Sequence, residues 1–109
     1  MTSPVEHLLM PLKRHLDNQK YIEIICRSAG EIWAETRTGK WHHHEVPEID
    51  VEYWKTVARG LGVVTGQRFS EVKPVLRGTL PGGHRMFLMT GSNIIDPRTR
   101  AAGICVTIR

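Results

Sequence analysis

The stretch from Pro74 to Met89 reads PVLRGTLPGGHRMFLM. Two short runs, Val75–Leu80 and His84–Met89, flank the tripeptide Pro81-Gly82-Gly83. Proline fixes φ at the first corner of a turn, and glycine tolerates the positive φ that closes it. The pattern therefore predicts a β-hairpin. It also places Arg85 just beyond the turn, where its guanidinium group can reach outward to an anion.

Further strands are predicted on both sides of this hairpin. Three runs rich in β-branched and aromatic residues follow one another with short turns between them, which predicts an antiparallel meander: Tyr21–Arg27, Glu31–Thr36 and Trp41–Val46. The last run of the chain alternates, so we expect Ile104, Val106 and Ile108 to face the core. Between the hairpin and this run, the polar stretch Gly91–Ala102 is predicted to be a loop.

Two helices are predicted, each from capping residues and an apolar stripe. The first has Ser3 as its N-cap and Pro4 at its first position, and Pro11 should kink it or begin a fresh turn. The second begins after the cap Asp50 and ends at Gly66. Apolar residues recur at helical spacing in both, namely Val5, Leu8, Leu9, Leu12 and Leu16 in the first and Val51, Trp54, Val57, Ala58, Leu61 and Val64 in the second.

The order of these elements, a helix, three strands, a helix and three strands, predicts an α+β fold. A chain of 109 residues supports a single core. We therefore expect one domain over residues 1–109, with a mostly antiparallel sheet of about six strands and the two main helices on one side of it. The sequence stops within a strand pattern, whereas domains more often trail off in polar residues. We interpret the chain as a piece of a longer protein.

Composition and charge narrow the function classes without choosing one. The formal net charge is +4, and the basic residues are scattered, with Arg98–Arg100 as the nearest approach to a cluster. This charge admits an anionic partner such as a nucleotide, nucleic acid or lipid head groups. No apolar run is long enough to span a membrane, and no signal peptide is recognisable. Cys26 and Cys105 lie in apolar runs and are predicted to be reduced, buried thiols of a cytosolic protein.

Catalytic patterns find little support in the sequence. His42 and His44 would project to one face of a strand, but no cysteine or carboxylate completes a metal-ligand spacing around His42-His43-His44, so a solvated strand is favoured over a metal site. The serines lie in no nucleophile-elbow pattern, and the carboxylates are spread out rather than paired. The phosphate-loop pattern GxxxxGK[ST] is absent. We expect no catalytic residue and no metal site, and the chain alone has no machinery to hydrolyse a nucleotide.

Three arginines remain as candidate anion contacts, because guanidinium groups bind phosphate with two parallel hydrogen bonds: Arg77, Arg85 and Arg109. Taken alone, an arginine near a strand end is more often a solvated edge charge. A second hypothesis is a small basic module that binds nucleic acid by itself. Such a module would stack bases on Trp33 and Trp41 or use the loop Arg98–Arg100.

Taken together, five stretches resemble the N-terminal domain of the hexameric traffic ATPases of type IV secretion and conjugal transfer systems. They are, in chain order, Leu9–Asp17 (LMPLKRHLD), Ile22–Glu35 (IEIICRSAGEIWAE), Trp41–Pro47 (WHHHEVP), Thr65–Arg85 (TGQRFSEVKPVLRGTLPGGHR) and Val106–Arg109 (VTIR). The resemblance covers nearly the whole chain. Two departures concern turns: Cys26–Gly30 is one residue longer than the family pattern, and Gly91–Ala102 is longer and lacks the frequent Pro-Pro.

The resemblance implies that this chain is the N-terminal part of a larger ATPase. In that family, a linker and a nucleotide-binding domain with the phosphate loop follow, and the protein forms a homo-hexamer. It lies in the cytoplasm, peripheral at the inner membrane, with other secretion-system components. ATP, with Mg²⁺, is bound mainly by the second domain. Arg85 and Arg109 match positions whose arginines reach the nucleotide phosphates.

The function implied for this chain is that of an oligomerisation and nucleotide-clamping domain, which is not an enzyme by itself. The complete protein would power substrate transfer or pilus assembly. No direct readout of nucleic acid is implied. A sibling secretion or pilus ATPase remains an alternative to the type IV branch.

Overall fold

Six strands form one sheet in which all neighbours are antiparallel. The computed structural model describes residues 4–70 and 72–109, apart from the side chains of residues 92, 93 and 102. The strands are β1 (Tyr21–Cys26), β2 (Glu31–Thr36), β3 (Trp41–Glu45), β4 (Val75–Thr79), β5 (Arg85–Ile95) and β6 (Ala102–Ile108). Across the sheet they lie in the order β3-β2-β1-β6-β5-β4.

The sheet consists of two three-stranded halves that meet at its centre. The predicted meander β1–β3 forms one half and β4–β6 the other, and the chain passes between them through helix α3 (Val51–Thr65). At the centre β1 pairs with β6, with Ile24 opposite Ile108 and Cys26 opposite Val106. The predicted α+β fold with a six-stranded antiparallel sheet is confirmed.

The hairpin of β4 and β5 has the predicted turn but a longer second strand than expected. Gly82 and Gly83 take φ values of 97° and 94°, which close the turn after Leu80. The prediction of a loop over Gly91–Ala102 is wrong, because β5 continues through a register shift and pairs Ile95 with Ala102. Backbone pairing with β6 does not require apolar side chains, so the polar composition of this stretch was misleading. The connecting loop is residues 96–101.

Helix α3 is bounded by the predicted residues. The carboxylate of Asp50 accepts a hydrogen bond from the Tyr53 amide (2.7 Å), and Gly66 ends the helix at a left-handed φ of 74°. One predicted core position is wrong, since Val64 is 72% exposed. Near the end of α3, Gly62 is buried instead. A Cβ at this position would lie 2.8 Å from the Gln67 carbonyl oxygen. The amide of Gln67 donates to the Gly62 carbonyl, which completes the helix end.

The N-terminal helical segment is broken where the sequence predicts. It comprises α1 (Pro4–Leu8), a single 3₁₀ turn (Met10–Leu12) that contains Pro11, and α2 (Lys13–Leu16). Residue Ser3, predicted as the N-cap, lies outside the described residues. The Tyr53 hydroxyl donates to the carbonyl of Leu8 (2.6 Å), so α1 is tied to α3.

Both helical segments bury their apolar faces against the same side of the sheet. The core combines them with the strand residues that point to that side; it contains Val5, Leu9, Leu12, Trp54, Val57, Ala58 and Leu61 from the helices and Ile24, Ile32, Ala34, Leu76, Met86, Leu88, Ile104, Val106 and Ile108 from the strands. The predicted orientation of β6 is therefore confirmed. None of the helices in the described ranges is both long and apolar enough to cross a membrane.

The opposite side of the sheet, called the open face below, carries the alternate strand residues. Within residues 4–70 and 72–109 no helix packs on it. Its residues are Glu23 and Ile25 on β1, Glu31, Trp33 and Glu35 on β2, Trp41, His43 and Glu45 on β3, Val75, Arg77 and Thr79 on β4, Arg85, Phe87 and Met89 on β5, and Cys105, Thr107 and Arg109 on or just beyond β6.

The loop after β5 is anchored by a buried carboxylate that sequence reasoning did not single out. Asp96 is 2% exposed and accepts hydrogen bonds from the amides of Ala29 (3.0 Å), Arg98 (2.8 Å) and Thr99 (3.3 Å). Burial alone would raise the pKa of this carboxyl, but the three amide donors outweigh it and lower the pKa. Asp96 thereby ties the β5–β6 loop to the β1–β2 turn.

Replacing Asp96 with asparagine should lower the free energy of unfolding by about 1–3 kcal/mol at pH 7, because buried amide donors lose an ionised acceptor. The folded-state pKa is lowered, so the wild-type contribution is complete above the unfolded pKa of about 3.9 and is lost as pH falls through the folded value. Urea unfolding at pH 7 and pH 3 measures both effects. Exposed Asp17, which pairs with Lys13, supplies the control Asp17→Asn. Equal losses in the two variants would contradict the anchoring role.

A pair of histidine rings joins the N-terminal segment to the sheet. His15 of α2 is 5% exposed, and its ring centroid lies 4.4 Å from that of His44 on β3. The Nε2 atom of His44 is 2.7 Å from the Tyr21 hydroxyl. Burial, then the charge of His44 and then that of Arg14 lower the pKa of His15. Burial also lowers the pKa of His44, followed by the charges of Arg14 and other histidines of β3. The contact is therefore built for two neutral rings.

The stability of the chain should fall as pH is lowered from about 7 to 5. His15 and His44, whose pKa values are near 6.5 in the unfolded chain and lowered in the folded one, bind protons first when the chain is unfolded. Substituting His15→Phe should reduce this dependence, and substituting exposed His7→Gln should not. The measurement is the free energy of unfolding from urea titrations at several pH values. A His15→Phe chain with the wild-type pH dependence would rule out the pair as its source.

Candidate functional site

The two arginines predicted to contact phosphate are direct neighbours across adjacent strands. The Arg85 amide donates to the Arg109 carbonyl (3.0 Å), and the Arg109 amide donates to the Arg85 carbonyl (2.9 Å). In such a pair the side chains project from the same face, about 5.5 Å apart at Cα. Both residues are exposed on the open face. Their shared position follows from pairing of β5 with β6, which the sequence alone does not specify.

A third arginine lies in the same shallow depression. Arg77 on β4 is opposite Phe87, and its guanidinium carbon lies 5.2 Å from the centre of the Phe87 ring. Side chains from three strands line the depression: Arg77, Thr79, Arg85, Phe87, Thr107 and Arg109. We call these six residues the arginine patch. Their groups are guanidinium donors, two hydroxyls and one aromatic ring, which together suit an anion.

The patch has one carboxylate counter-charge among the described residues. The Nε atom of Arg109 donates to the Glu23 carboxylate (3.0 Å) on β1. The side chains of Arg77 and Arg85 form no ion pair and donate no hydrogen bond within the described part of the chain. Like charges directly across a strand pair are destabilising. An anion bound between Arg85 and Arg109 would relieve that repulsion.

The histidine run divides between the two sides of β3. His42 and His44 point to the helix side, as the predicted alternation requires, and His43 points to the open face. There His43 lies against the carboxylates of Glu31 and Glu45, with ligand atoms within 4.8 Å of one another. The guanidinium of Arg98 already pairs with Glu31 (3.1 Å) and Glu45 (3.6 Å). The positive charge of Arg98 therefore offsets the negative charge of these two carboxylates.

The same ion pairs bear on the nucleic-acid hypothesis. In that hypothesis the loop Arg98–Arg100 supplies positive charge that binds the nucleic acid. Arg98 is instead held against two carboxylates beside Trp33. Trp33 and Trp41 are 41% and 43% exposed, so the predicted stacking surfaces are present. Glu31, Glu35 and Glu45 lie beside them on the open face and repel a phosphate backbone, although Arg27 also borders the two rings. The geometry therefore favours the arginine patch as the anion site.

Neither cysteine lies in the arginine patch, and Cys26 offers no reactive thiol. Cys26 is 1% exposed, and its Sγ donates to the Ser28 carbonyl. Burial raises the pKa of the Cys26 thiol to about 12, so the thiolate is scarcely populated at neutral pH. Both cysteines are free, as predicted, but Cys105 is only half-buried on the open face.

Sequence reasoning missed the residues that act on the patch from other segments. Glu23 on β1 and Gln67 after α3 each contact one of its arginines. Both lie in stretches that carry the family resemblance, but the resemblance assigned neither of them a role. Alternation along β1 places Glu23 opposite the core-facing side, but its pairing with Arg109 spans 86 residues of sequence. The contact between Glu23 and Arg109 can be predicted only when the order of the strands is known.

Comparison with known proteins supports the resemblance. No protein-family model matches the sequence. The type IV secretion system protein VirB11 of Brucella suis is 30% identical over 101 residues, which is 93% of this chain and 26% of that protein. VirB11 of Bartonella quintana is 26% identical over the same length. The chain thus spans about a quarter of the length of the curated relatives that it matches.

A solved structure extends the similarity to the fold. The crystal structure of the VirB11 ATPase from the Brucella suis type IV secretion system, in complex with sulphate, superposes with a TM-score of 0.81 at 26% identity. The match covers 98% of this chain and 31% of that chain. The resemblance predicted from the sequence is confirmed: over nearly its whole length, this chain is homologous to one segment of VirB11, which in Brucella suis is an ATPase of the type IV secretion system.

Proposed function

We propose that residues 1–109 are the N-terminal domain of a type IV secretion ATPase of the VirB11 kind, and that its open face clamps a nucleotide held by a following domain. The observation that carries the proposal is that backbone hydrogen bonds pair Arg85 with Arg109, so that the two residues lie side by side on the open face. The resemblance assigned phosphate contacts to these two residues. The fold brings them to one spot from separate strands.

The electrostatics of the pair support an anionic ligand. Arg85 has no side-chain counter-charge among the described residues, and Arg109 faces it across the strand pair. A phosphate between the two guanidinium groups accepts charge-assisted hydrogen bonds from both and offsets their repulsion. The Brucella suis VirB11 ATPase was crystallised with sulphate, a tetrahedral anion of similar charge and shape. This supports the proposal at the level of ligand chemistry.

In this proposal the chemistry and the clamp belong to different domains. The chain contains no phosphate loop, so ATP and Mg²⁺ would be bound mainly by the second domain, which would also hydrolyse the nucleotide. The arginine patch would close on the phosphates from the opposite side. The nucleotide then favours the closed arrangement, and loss of its terminal phosphate weakens that preference.

We infer the wider setting from the family resemblance, which the similarity to VirB11 supports. The complete protein would form a homo-hexamer in the cytoplasm, peripheral at the inner membrane and in contact with other secretion-system components. Its ATP turnover would power substrate transfer or pilus assembly. The present chain would contribute to oligomerisation and nucleotide clamping, without catalysing hydrolysis itself.

The coding sequence beyond Arg109 tests the division into domains. We expect it to continue in frame through a linker into a domain with a GxxxxGK[ST] phosphate loop. Sequencing the native gene past this codon provides the observation. A stop codon directly after Arg109 would refute the assignment as an N-terminal ATPase domain.

Substituting Arg85→Ala in the complete protein should lower ATP turnover roughly tenfold, because a charge-assisted phosphate contact is lost. The free energy of unfolding should stay the same or rise by a few tenths of a kcal/mol, since the repulsion with Arg109 disappears. Steady-state ATP hydrolysis and urea unfolding measure the two effects. Arg37→Ala, in the exposed β2–β3 turn, is the matched control. Wild-type turnover in the Arg85→Ala protein would remove Arg85 from the clamp.

A further inference from the structure

We propose that Arg77 is a third phosphate-binding residue of the arginine patch and that Glu23 competes with the ligand for Arg109. Together the three arginines would take the triphosphate group of a nucleoside triphosphate. The choice of a nucleotide rests on the proposed function, whereas the binding of a triphosphate group rests on the patch itself.

The strand register places Arg77 within reach of the same ligand as Arg85. Arg77 is opposite Phe87 and Thr79 is opposite Arg85, so Arg77 and Arg85 are diagonal neighbours on one face. Diagonal neighbours in an antiparallel pair are about 7–8 Å apart, a gap that two arginine side chains easily close. Arg85 is in turn directly beside Arg109. The three guanidinium groups therefore surround one depression from β4, β5 and the end of β6.

Arg77 is held at its backbone by a residue from another segment. β4 is an edge strand, and Gln67 covers its free edge at this position. The Gln67 side-chain amide donates to the Arg77 carbonyl, and the Arg77 amide donates to the Gln67 side-chain oxygen (3.4 Å). Gln67 is itself fixed at the end of α3, because its backbone amide donates a hydrogen bond to the Gly62 carbonyl (2.9 Å). The position of Arg77 is thus tied to the core.

The Arg77 side chain is held without using its hydrogen-bond donors. Its guanidinium carbon lies 5.2 Å from the centre of the Phe87 ring, which is a cation–π arrangement. Such a contact orients the plane of the group, while its N–H donors remain available to a ligand. Fixing a binding group beforehand reduces the conformational entropy lost on binding. Arg77 therefore has the properties of a prepared anion contact.

Arg109 differs from Arg77, because its guanidinium group already donates a hydrogen bond to a carboxylate of the protein. Its Nε donates to Glu23 (3.0 Å); the Glu23 side chain is 17% exposed, and that of Arg109 is 70% exposed. Glu23 also lies opposite Glu35 on β2, so Arg109 offsets a repulsion between two carboxylates. An anion that recruits Arg109 must compete with this arrangement. Glu23 therefore lowers the affinity of the patch for phosphate.

The experiment titrates this chain with ATP and, separately, with inorganic tripolyphosphate at low ionic strength, using calorimetry or NMR shifts of the open-face amides. Two glycines are appended after Arg109 in every variant, so that the terminal carboxylate does not sit beside Arg85. We expect Arg77→Gln to weaken binding of both ligands about three- to tenfold. The control Arg37→Gln removes the same charge from an exposed turn and should change affinity less than about twofold.

The Glu23 variant is expected to change the affinity in the opposite direction. Glu23→Gln should tighten binding about two- to fivefold, because Arg109 is released. Glu48→Gln removes a negative charge at an exposed position outside the patch and is the control. A general effect of net charge would change the two glutamate variants equally. Urea unfolding of each variant confirms that it is folded.

Several outcomes would overturn the inference. Arg77→Gln binding like wild type or like Arg37→Gln would remove Arg77, and Glu23→Gln binding no tighter than Glu48→Gln would remove the competition. Absence of binding by the wild-type chain to either ligand would end the proposal altogether. Binding of tripolyphosphate without comparable binding of ATP would exclude the nucleotide as the ligand.

The failure of this inference is distinguishable from failure of the proposed function. If Arg85→Ala lowers ATP turnover in the complete protein while Arg77→Gln binds ligand normally, the clamp stands and the third contact is wrong. If the gene ends after Arg109 while both glutamate and arginine arms give the expected result, the triphosphate site stands and the ATPase assignment is wrong.

Discussion

The antiparallel pairing of β1 with β6 is the contact on which the rest of the structure depends. Each half of the sheet is built from strands close in sequence, but Glu23 and Arg109 are separated by 86 residues. Closing such a loop is entropically unfavourable. Burial offsets that cost, because the paired residues Ile24 and Ile108 are 4% and 2% exposed beneath the helices. Without this pairing Arg109 would lack its counter-charge, Glu23.

The register that buries the core also determines what the open face presents. Strand side chains alternate, so the pairing that sends Met86 and Ile108 inward sends Arg85 and Arg109 outward. A slip of one residue would exchange the two sets, at the cost of burying the arginine charges. The core therefore fixes the backbone positions of the arginine patch, while contacts with Gln67 and Phe87 hold Arg77 itself.

Local features were predictable from the sequence, and long-range ones were not. The hairpin turn, the caps of α3 and the alternation of β6 depend on residues near one another, which is why they were read correctly. The continuation of β5 was missed because its partner strand supplies the hydrogen bonds. The exposure of Val64 reflects how α3 meets β4, and the ion pairs of Arg98 with Glu31 and Glu45 join three separate segments. The family resemblance identified Arg85 and Arg109, but not that they are adjacent.

Because exposed charge pairs are weak, a patch of this kind is suited to favouring one arrangement of two domains rather than to binding a nucleotide tightly by itself. An exposed ion pair contributes at most about 1 kcal/mol, so three arginines in water bind a nucleotide only weakly by themselves. They can, however, shift an equilibrium between two domain arrangements, which requires only a difference of a few kcal/mol between states. Glu23 reduces that difference further by restraining Arg109. On the proposed function, modest affinity is then an advantage, because a domain that bound phosphate tightly would not release it after hydrolysis.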